Sequence, residues 1–260
     1  MEPRVTVIIP NYNYNDYIKR AIQSAIDQTY QNISICVIDD GSDDFEKLKS
    51  IFNKLLPLDT DKTVTGTHGD IFTTSCGNHY LISLKKNSGP STARNIGINL
   101  TINQTQAFVN LDSDDYMYPN KVEELIKAWL IDTDKIGVVY ADYDIENTSN
   151  SRKVIEFKHP YSMAKLEREC IVHSGALISS KALIQVCEND TFYDPGLRTC
   201  EDFDLWLRIS QYFMIYHVPK PLTNVLVQPR NSSVSVDQTT WNQNWSTVMQ
   251  KLTKRKHEKK

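Results

Sequence analysis

Three short apolar runs in the first 115 residues each end in a polar or acidic cluster, and this pattern constrains the fold more than any other feature. Residues 5–9 run into Pro10-Asn11-Tyr12-Asn13, residues 33–38 into Asp39-Asp40-Gly41-Ser42, and residues 107–111 into Asp112-Ser113-Asp114-Asp115. Near-continuous apolar runs of this length, rich in β-branched residues, read as strands buried on both faces. Helical patterns lie between them. Tyr17, Ile18, Ala21, Ile22, Ala25 and Ile26 recur at helical spacing within 16–28, and a second helix over 45–56 is closed by Pro57. A further strand is predicted over 80–84 and a helix over 91–100, with Ser91 as N-cap after the Ser88-Gly89-Pro90 turn. Pro119 opens a helix reaching about residue 130.

Strand–helix alternation predicts an α/β fold with a Rossmann-like, mostly parallel central sheet flanked by helices. Such sheets bind ligands beyond the carboxyl ends of their strands, so the three polar clusters are expected to face one crevice. Residues 58–79 are polar, rich in Thr, Gly and Asp and without clear period; they read as a long loop or a small surface hairpin. The second half is less regular. Short strands are expected over 137–140, 176–179 and 214–218, a hairpin from 143–146 and 152–157, and helices over 181–187 and 201–211. A soft boundary near 130 divides one domain into a nucleotide-binding half (1–130) and a smaller, mixed acceptor-side half (131–235), followed by a C-terminal extension (236–260).

Composition narrows the function classes. Of the 260 residues 40% are hydrophobic and 23% charged, as in ordinary globular chains rather than disordered ones. The net charge of -3 argues against nucleic acid as a partner. No stretch approaches the roughly 18 consecutive apolar residues of a membrane span, and the N-terminal residues do not read as a signal peptide. The five cysteines form no CxxC pair, which favours free thiols in a reducing, cytoplasmic setting over a disulfide scaffold. Seven N-x-S/T triplets are then chance occurrences. The last ten residues carry six Lys/Arg and one Glu. They read as a frayed, solvated end or as a polybasic contact with an anionic inner membrane face.

The acidic clusters carry the chemistry. Asp112, Asp114 and Asp115 would repel one another unscreened, and hard oxygen ligands suit Mg²⁺ or Mn²⁺ completed by substrate phosphates. The alternative is a solvated acidic turn or a helix cap. Of Asp39 and Asp40, one can cap the next helix while the other accepts hydrogen bonds from a base or ribose. Tyr12 can stack on that base or cover the core edge. Arg94 can meet a diphosphate or lie on the surface. Glu201-Asp202 opens an amphipathic helix, where acids suit the dipole; the chemical reading is a general base that takes the proton of a sugar hydroxyl.

Together these stretches resemble the family 2 inverting glycosyltransferases of GT-A fold. The matching segments are Val5-Thr6-Val7-Ile8-Ile9-Pro10-Asn11-Tyr12-Asn13, Ala25-Ile26-Asp27-Gln28-Thr29-Tyr30, Val37-Ile38-Asp39-Asp40-Gly41-Ser42, Asn87-Ser88-Gly89-Pro90-Ser91-Thr92-Ala93-Arg94-Asn95-Ile96-Gly97, Leu111-Asp112-Ser113-Asp114-Asp115 and Glu201-Asp202-Phe203-Asp204-Leu205-Trp206-Leu207-Arg208. The resemblance implies a base pocket at Pro10, Asn11, Tyr12 and Asn13, with Asp40 on base or ribose. It implies that Asp112, Ser113 and Asp114, with Asp115 beside them, hold metal and donor. Asp202 is then the base, next to Glu201, and Trp206 either lies near the acceptor or donor sugar or packs in the core. Two departures stand out. The 58–79 segment is longer than usual, and Arg230 stands where members often carry a metal-binding histidine. An arginine cannot ligate a cation but can pair with a diphosphate, which leaves His173 and His217 as candidates for a third protein ligand.

The implied activity is metal-dependent inverting transfer from a nucleotide-diphosphate sugar, UDP-linked by family habit, to a hydroxyl of a glycan or lipid-linked acceptor. Two rivals are a sugar-1-phosphate nucleotidyltransferase and a degenerate transferase that binds nucleotide-sugar or a partner without turnover. The first lacks its Gly-rich basic loop after the first strand. The complete acid set argues against the second.

Overall fold

The apolar runs become strands that lie side by side. The computed structural model of the chain describes residues 2–147, 152–228 and 236–258. Strand β1 (Val5–Asn11) pairs in parallel with β2 (Ile33–Asp39) on one side and with β6 (Ala107–Asn110) on the other. Strand β2 in turn pairs in parallel with β5 (Tyr80–Leu84). Successive side chains of a strand point to opposite faces, so each run supplies two cores. Val5, Val7 and Ile9 pack under α1 (Ile18–Ile26), α2 (Phe45–Leu55) and α4 (Lys121–Trp129). Ile8, Cys36 and Ile38 pack under α3 (Pro90–Thr101) and α7 (Glu201–Ile209).

The parallel pattern holds at the centre and changes at both margins. Residues 58–79 form an antiparallel hairpin, β3 (Leu58–Thr65) and β4 (Gly69–Thr74), and β4 extends the main sheet by pairing with β5. The polar composition hid β3 because it is an edge strand with most of its residues exposed. On the other side, β10 (Leu177–Ser179) lies antiparallel between β6 and β8 (Ile136–Asn147). Strand β8 pairs antiparallel with β9 (Arg152–Glu156) and parallel with β11 (Met214–Val227). Strand β7 (Tyr116–Met117) closes that edge on β11. The sheet of eleven strands among the described residues is therefore mixed.

Several boundaries differ from expectation. The predicted strands at 137–140 and 143–146 are one strand, β8. Strand β11 continues through Pro219 and Pro221 because register shifts absorb the prolines, which cannot donate to a ladder. The N-cap of α3 is Gly89, with Pro90 at N1, so Ser91 sits inside the helix. Helix α4 begins at Lys121, after Pro119. Short helices α5 (Met163–Leu166) and α6 (Ser180–Gln185) lie in the second half of the chain. All five cysteines are free.

The C-terminal extension is not a frayed end over its described length. Helix α8 (Gln238–Glu258) buries Val248 and Leu252 and lays Trp245 against Phe203 of α7 with ring centroids 4.8 Å apart. Its basic residues are used at home: Lys251 pairs with Asp194, Arg255 with Asp204 at 3.1 Å, and Lys256 with Glu167 at 2.7 Å. Among the described residues no helix is long and apolar enough to cross a membrane. Leu252→Ala, which empties a site only 4% exposed, should cost about 2–5 kcal/mol. A lower urea midpoint with unchanged slope is the expected result; an unchanged midpoint would show that α8 contributes no packing.

Candidate active site

Parallel register brings the strand ends to one edge. Asn11 is level with Asp39, which is level with Ser83, and Leu111 N–H donates to the Ile8 carbonyl at 2.9 Å. The first two turns are latched together. Asn11 Nδ2 donates to Asp39 Oδ1 at 3.0 Å, and Asp40 N–H donates to the Asn11 carbonyl at 2.8 Å. Asn13 adopts φ +59°, a left-handed conformation that asparagine tolerates, and donates its N–H to Ser42 Oγ at 2.8 Å. Pro10 is partly buried between Ile9 and Asn11, both buried, and Tyr12 stands 45% exposed at the rim.

Neither acid of the Asp39-Asp40 pair caps the following helix; Asp44 does, accepting from Lys47 N–H at 3.0 Å. Asp39 accepts from Ser42 N–H, and Asp40 holds the turn before α3. Ser88 and Gly89 donate their N–H groups to the two Asp40 oxygens at 2.8 and 2.7 Å. Burial pushes the Asp40 carboxyl up to about 6, against the pull of those two donors.

Helix α3 can approach the sheet because residue 97 is glycine. A Cβ there would lie 2.7 Å from Ile38 Cδ1 and 3.1 Å from Ile8 Cδ1. Its other side grips the segment before α7. Asn95 Nδ2 donates to the Tyr193 carbonyl at 2.7 Å, its Oδ1 accepts from Phe192 and Tyr193 N–H, and Ser91 donates to the Leu197 carbonyl. One turn along, Arg94 is 4% exposed and bridges two acids from opposite halves of the chain. Its Nη2 meets Asp112 Oδ1 at 2.9 Å and its Nη1 meets Glu201 Oε1 at 2.8 Å. Burial works against the guanidinium charge, but Asp112 and Glu201 outweigh it and raise the arginine's pKa.

Cys200, at φ +62°, turns the chain sharply into α7 and sets Glu201 and Asp202 in its first turn. Burial, then the charges of Glu201 and Asp112, push the Asp202 carboxyl up to about 7, while Phe203 N–H and Arg94 pull it down. Asp112, Arg94, Glu201 and Asp202 thus form one cluster, although they span 108 positions.

The three acids of the Asp112 turn separate. Asp112 faces Arg94, with its side chain 39% exposed. Asp114 accepts from Gln228 Nε2 at 2.9 Å through its carboxylate and from Arg20 through its carbonyl. Asp115 turns inward and accepts from Leu226 N–H at 2.8 Å; burial and the neighbouring Asp112 and Asp114 push its carboxyl well above the usual range. Ser113 is buried. Lys121, 1% exposed, donates to Thr223 Oγ1 at 2.8 Å. Burial pushes its ammonium down to about 8, with Asp115 and Asp112 opposing.

Among the described residues no three Asp, Glu, His or Cys side chains converge as metal ligands, and Asp112, Asp114 and Asp115 turn to different partners. The candidate histidines are occupied elsewhere. His217 shares a 2.9 Å hydrogen bond with Asp142 and stacks on Tyr140, and His173 packs on Tyr143. A divalent ion that draws most of its shell from phosphate and water needs only one or two protein carboxylates. Half-open Asp112, with Asp114 beside it, fits that kind of binding. Three carboxylates against one guanidinium also leave the cluster with excess negative charge. Trp206 is 0% exposed, enclosed in the core, and does not line the cluster. Arg230 lies outside the described residues.

Asn95, Lys121 and Tyr193 belong to the site's frame and were not singled out from sequence. Lys121 carried a signal, since it precedes Leu125 and Ala128 on the inward stripe of α4, where a charge needs a partner. Tyr193 carried none: its hydroxyl accepts from Asn110 Nδ2 at 2.6 Å, a contact across 83 positions.

A profile described as glycosyl transferase family 2 matches residues 6–186. The chain belongs to glycosyl transferase family 2. It is 31% identical to a glycosyltransferase of Rickettsia prowazekii, covering 97% of this chain and 73% of that one. It is 26% identical to a chondroitin synthase of Pasteurella multocida over 89% of this chain, but it spans only 21% of that protein. The solved structure of Staphylococcus aureus TarS residues 1–349 in complex with UDP superimposes with a TM-score of 0.62 at 20% identity, covering 87% of this chain and 61% of that one. The complex of the same fragment with UDP-GlcNAc gives 0.63 at 19%, covering 90% and 61%. These likenesses establish the GT-A fold of this family 2 chain.

The Asp202 shift has a stability consequence. Between the ordinary aspartate range and about pH 7 the folded state holds a proton that the unfolded chain has released. Stability is therefore lost as pH rises through that window. Asp202→Asn removes the titration. It should raise the Tm at pH 8 by about 2–4 °C, the shift that ~1 kcal/mol gives a chain of this size, and by less at pH 5. Equal shifts at both pH values would contradict the raised carboxyl.

Proposed function

We propose that this chain catalyses inverting transfer of a sugar from a nucleotide-diphosphate donor, a UDP-sugar in the first instance, to a hydroxyl of a glycan or lipid-linked acceptor. The observation that carries this reading is the cluster of Asp202, Glu201, Arg94 and Asp112 at the carboxyl edge of the parallel strands. Relatives named chondroitin synthase and hyaluronan synthase support a glycan acceptor. The UDP and UDP-GlcNAc complexes of the structural neighbour support the donor class.

In this reading Asp202 is the general base. A carboxyl near 7 is half ionised at neutral pH and matched to accept a hydroxyl proton. The acceptor oxygen attacks the anomeric carbon from the side opposite the diphosphate, so the configuration inverts in one displacement. Asp202 takes the proton, and the bond to the diphosphate breaks with its electron pair. Arg94 is the cation for the departing diphosphate, exchanging one of its two carboxylate contacts for phosphate oxygen. Asp40 and the Pro10-Asn11-Tyr12-Asn13 turn hold the nucleoside, with Tyr12 stacking on the base. Mn²⁺ or Mg²⁺ would be held by Asp112 with Asp114 and would supply electrostatic stabilisation of the diphosphate. In this reading the chain works in the cytoplasm and meets a lipid-linked acceptor, where that is the substrate, at the inner membrane face.

A panel of nucleotide sugars with Mn²⁺ should identify one that the wild-type chain hydrolyses slowly, releasing nucleoside diphosphate. With an acceptor present, Asp202→Asn should reduce transfer by about 100- to 10,000-fold while donor binding persists. Transfer by Asp202→Asn at the wild-type rate would remove the base assignment.

A further inference from the structure

We infer that one stripe of α1 is a positioning ladder for the acidic turn, with Arg20 as the residue that sets the turn's place at the donor site. The inference rests on the donor reading above and gives a role to the Ser-x-x-x-Gln stretch at the end of α1. Residues 20 and 24 are spaced four apart and lie on one face of α1, and Gln28 follows just past the C-cap Asp27, its Nε2 also donating to the Ser24 carbonyl at 2.9 Å. Each takes hold of backbone in the segment between Asp114 and Val122.

Arg20 Nη2 donates to the Asp114 carbonyl at 2.9 Å, and its guanidinium lies 4.5 Å from the centre of the Tyr116 ring. Ser24 Oγ accepts from Met117 N–H at 3.1 Å and donates to the Ala21 carbonyl at 2.8 Å. Gln28 is 2% exposed and uses both ends of its amide. Its Nε2 donates to the Tyr118 carbonyl at 2.8 Å, and its Oε1 accepts from Val122 N–H at 2.9 Å. Thr29 N–H adds a bond to the Pro119 carbonyl at 2.8 Å.

This satisfies a physical need. Residues 112–120 contain only the two-residue strand β7, so most of their backbone groups find no partner in the sheet. Their carboxylates also repel one another. A turn of this kind keeps one shape only if its backbone is held from outside. Ser24 and Gln28 anchor the far end. Of these three residues only Arg20 reaches the acidic residues, and it does so at the Asp114 carbonyl, leaving that carboxylate to Gln228 Nε2. It brings a positive charge to the back of a turn that faces a diphosphate. A groove of about 670 Å³ between α1 and β7, with Arg20 and Tyr116 in its wall, keeps the contact at the surface. Arg20 can therefore be replaced without opening the core.

The test uses the full chain and two readouts. Hydrogen exchange without ligand is followed over residues 112–118, and UDP affinity is measured by calorimetry in MnCl₂. Arg20→Met is expected to speed exchange across 112–118 by about tenfold, to leave β1 and β2 at wild-type rates, and to weaken UDP binding by about tenfold. Arg20→Lys, which keeps a donor and the charge, is expected to recover most of both effects. Ser24→Ala is expected to speed exchange at Met117 in particular. The ladder is overturned if 112–118 exchanges at the wild-type rate in Arg20→Met, or if exchange rises equally along the chain. Faster exchange with unchanged UDP affinity shows a tether that does not serve the donor and overturns the positioning role. Failure of the wild-type chain to bind UDP counts against the UDP donor reading instead, and the exchange measurement still decides whether the tether exists.

Discussion

Arg94 is the point on which the site depends. Its guanidinium joins Asp112, at the end of β6, to Glu201, at the start of α7, and is almost wholly withdrawn from water. A buried charge without partners costs several kcal/mol, so removing either acid leaves a penalty larger than the pair's own net worth. The two halves of the chain are therefore held in a set relation through a charged contact at the place where chemistry is expected. The rest of α3 reinforces it, with Gly97 bringing the helix down on the sheet while Ser91 and Asn95 hold the segment leading into α7.

That contact also sets the electrostatics. One cation cannot neutralise Asp112, Glu201 and Asp202 together, and burial, with Glu201 and Asp112 alongside, raises the Asp202 carboxyl. A site with this balance attracts further positive charge and holds a proton-accepting group near neutrality. The same negative excess makes the backbone of the acidic turn hard to keep in place. Contacts from β11 and α1 to Asp114 and Asp115 answer that difficulty. Packing of α8 on α7, through Trp245 and Phe203, supports the helix that carries Asp202 from behind.

Much of the first half was legible because its signals are local. Buried strands need continuous apolar runs, helices need their periodicity, and ligand-facing turns are polar where the runs stop. Strand β5 and the cores of β1, β2 and β6 lie where those signals placed them. The margins were less legible. Strand β3 is an exposed edge with no apolar alternation, β11 passes through prolines that ordinarily end a strand, and α8 has a narrow apolar stripe on a polar, basic helix. The site divides the same way. Asp112, Asp202 and Arg94 stood out by type and context. Trp206 fills the core, one of the two roles its sequence context allows, because a tryptophan at helical spacing looks the same facing a sugar or packed inside.

The sequence by itself determined the strand–helix order, the polar character of the strand ends and the membership in a transferase family, since each follows from residue type and short-range spacing. Which carboxylates share a cation, which way each acid of the 112–115 turn points, and what holds that turn were decided only by the tertiary structure. Those relations are contacts across roughly 20 to 115 positions, and their energies depend on distance and burial. Neither quantity exists until the sheet has assembled and the two halves have closed on Arg94.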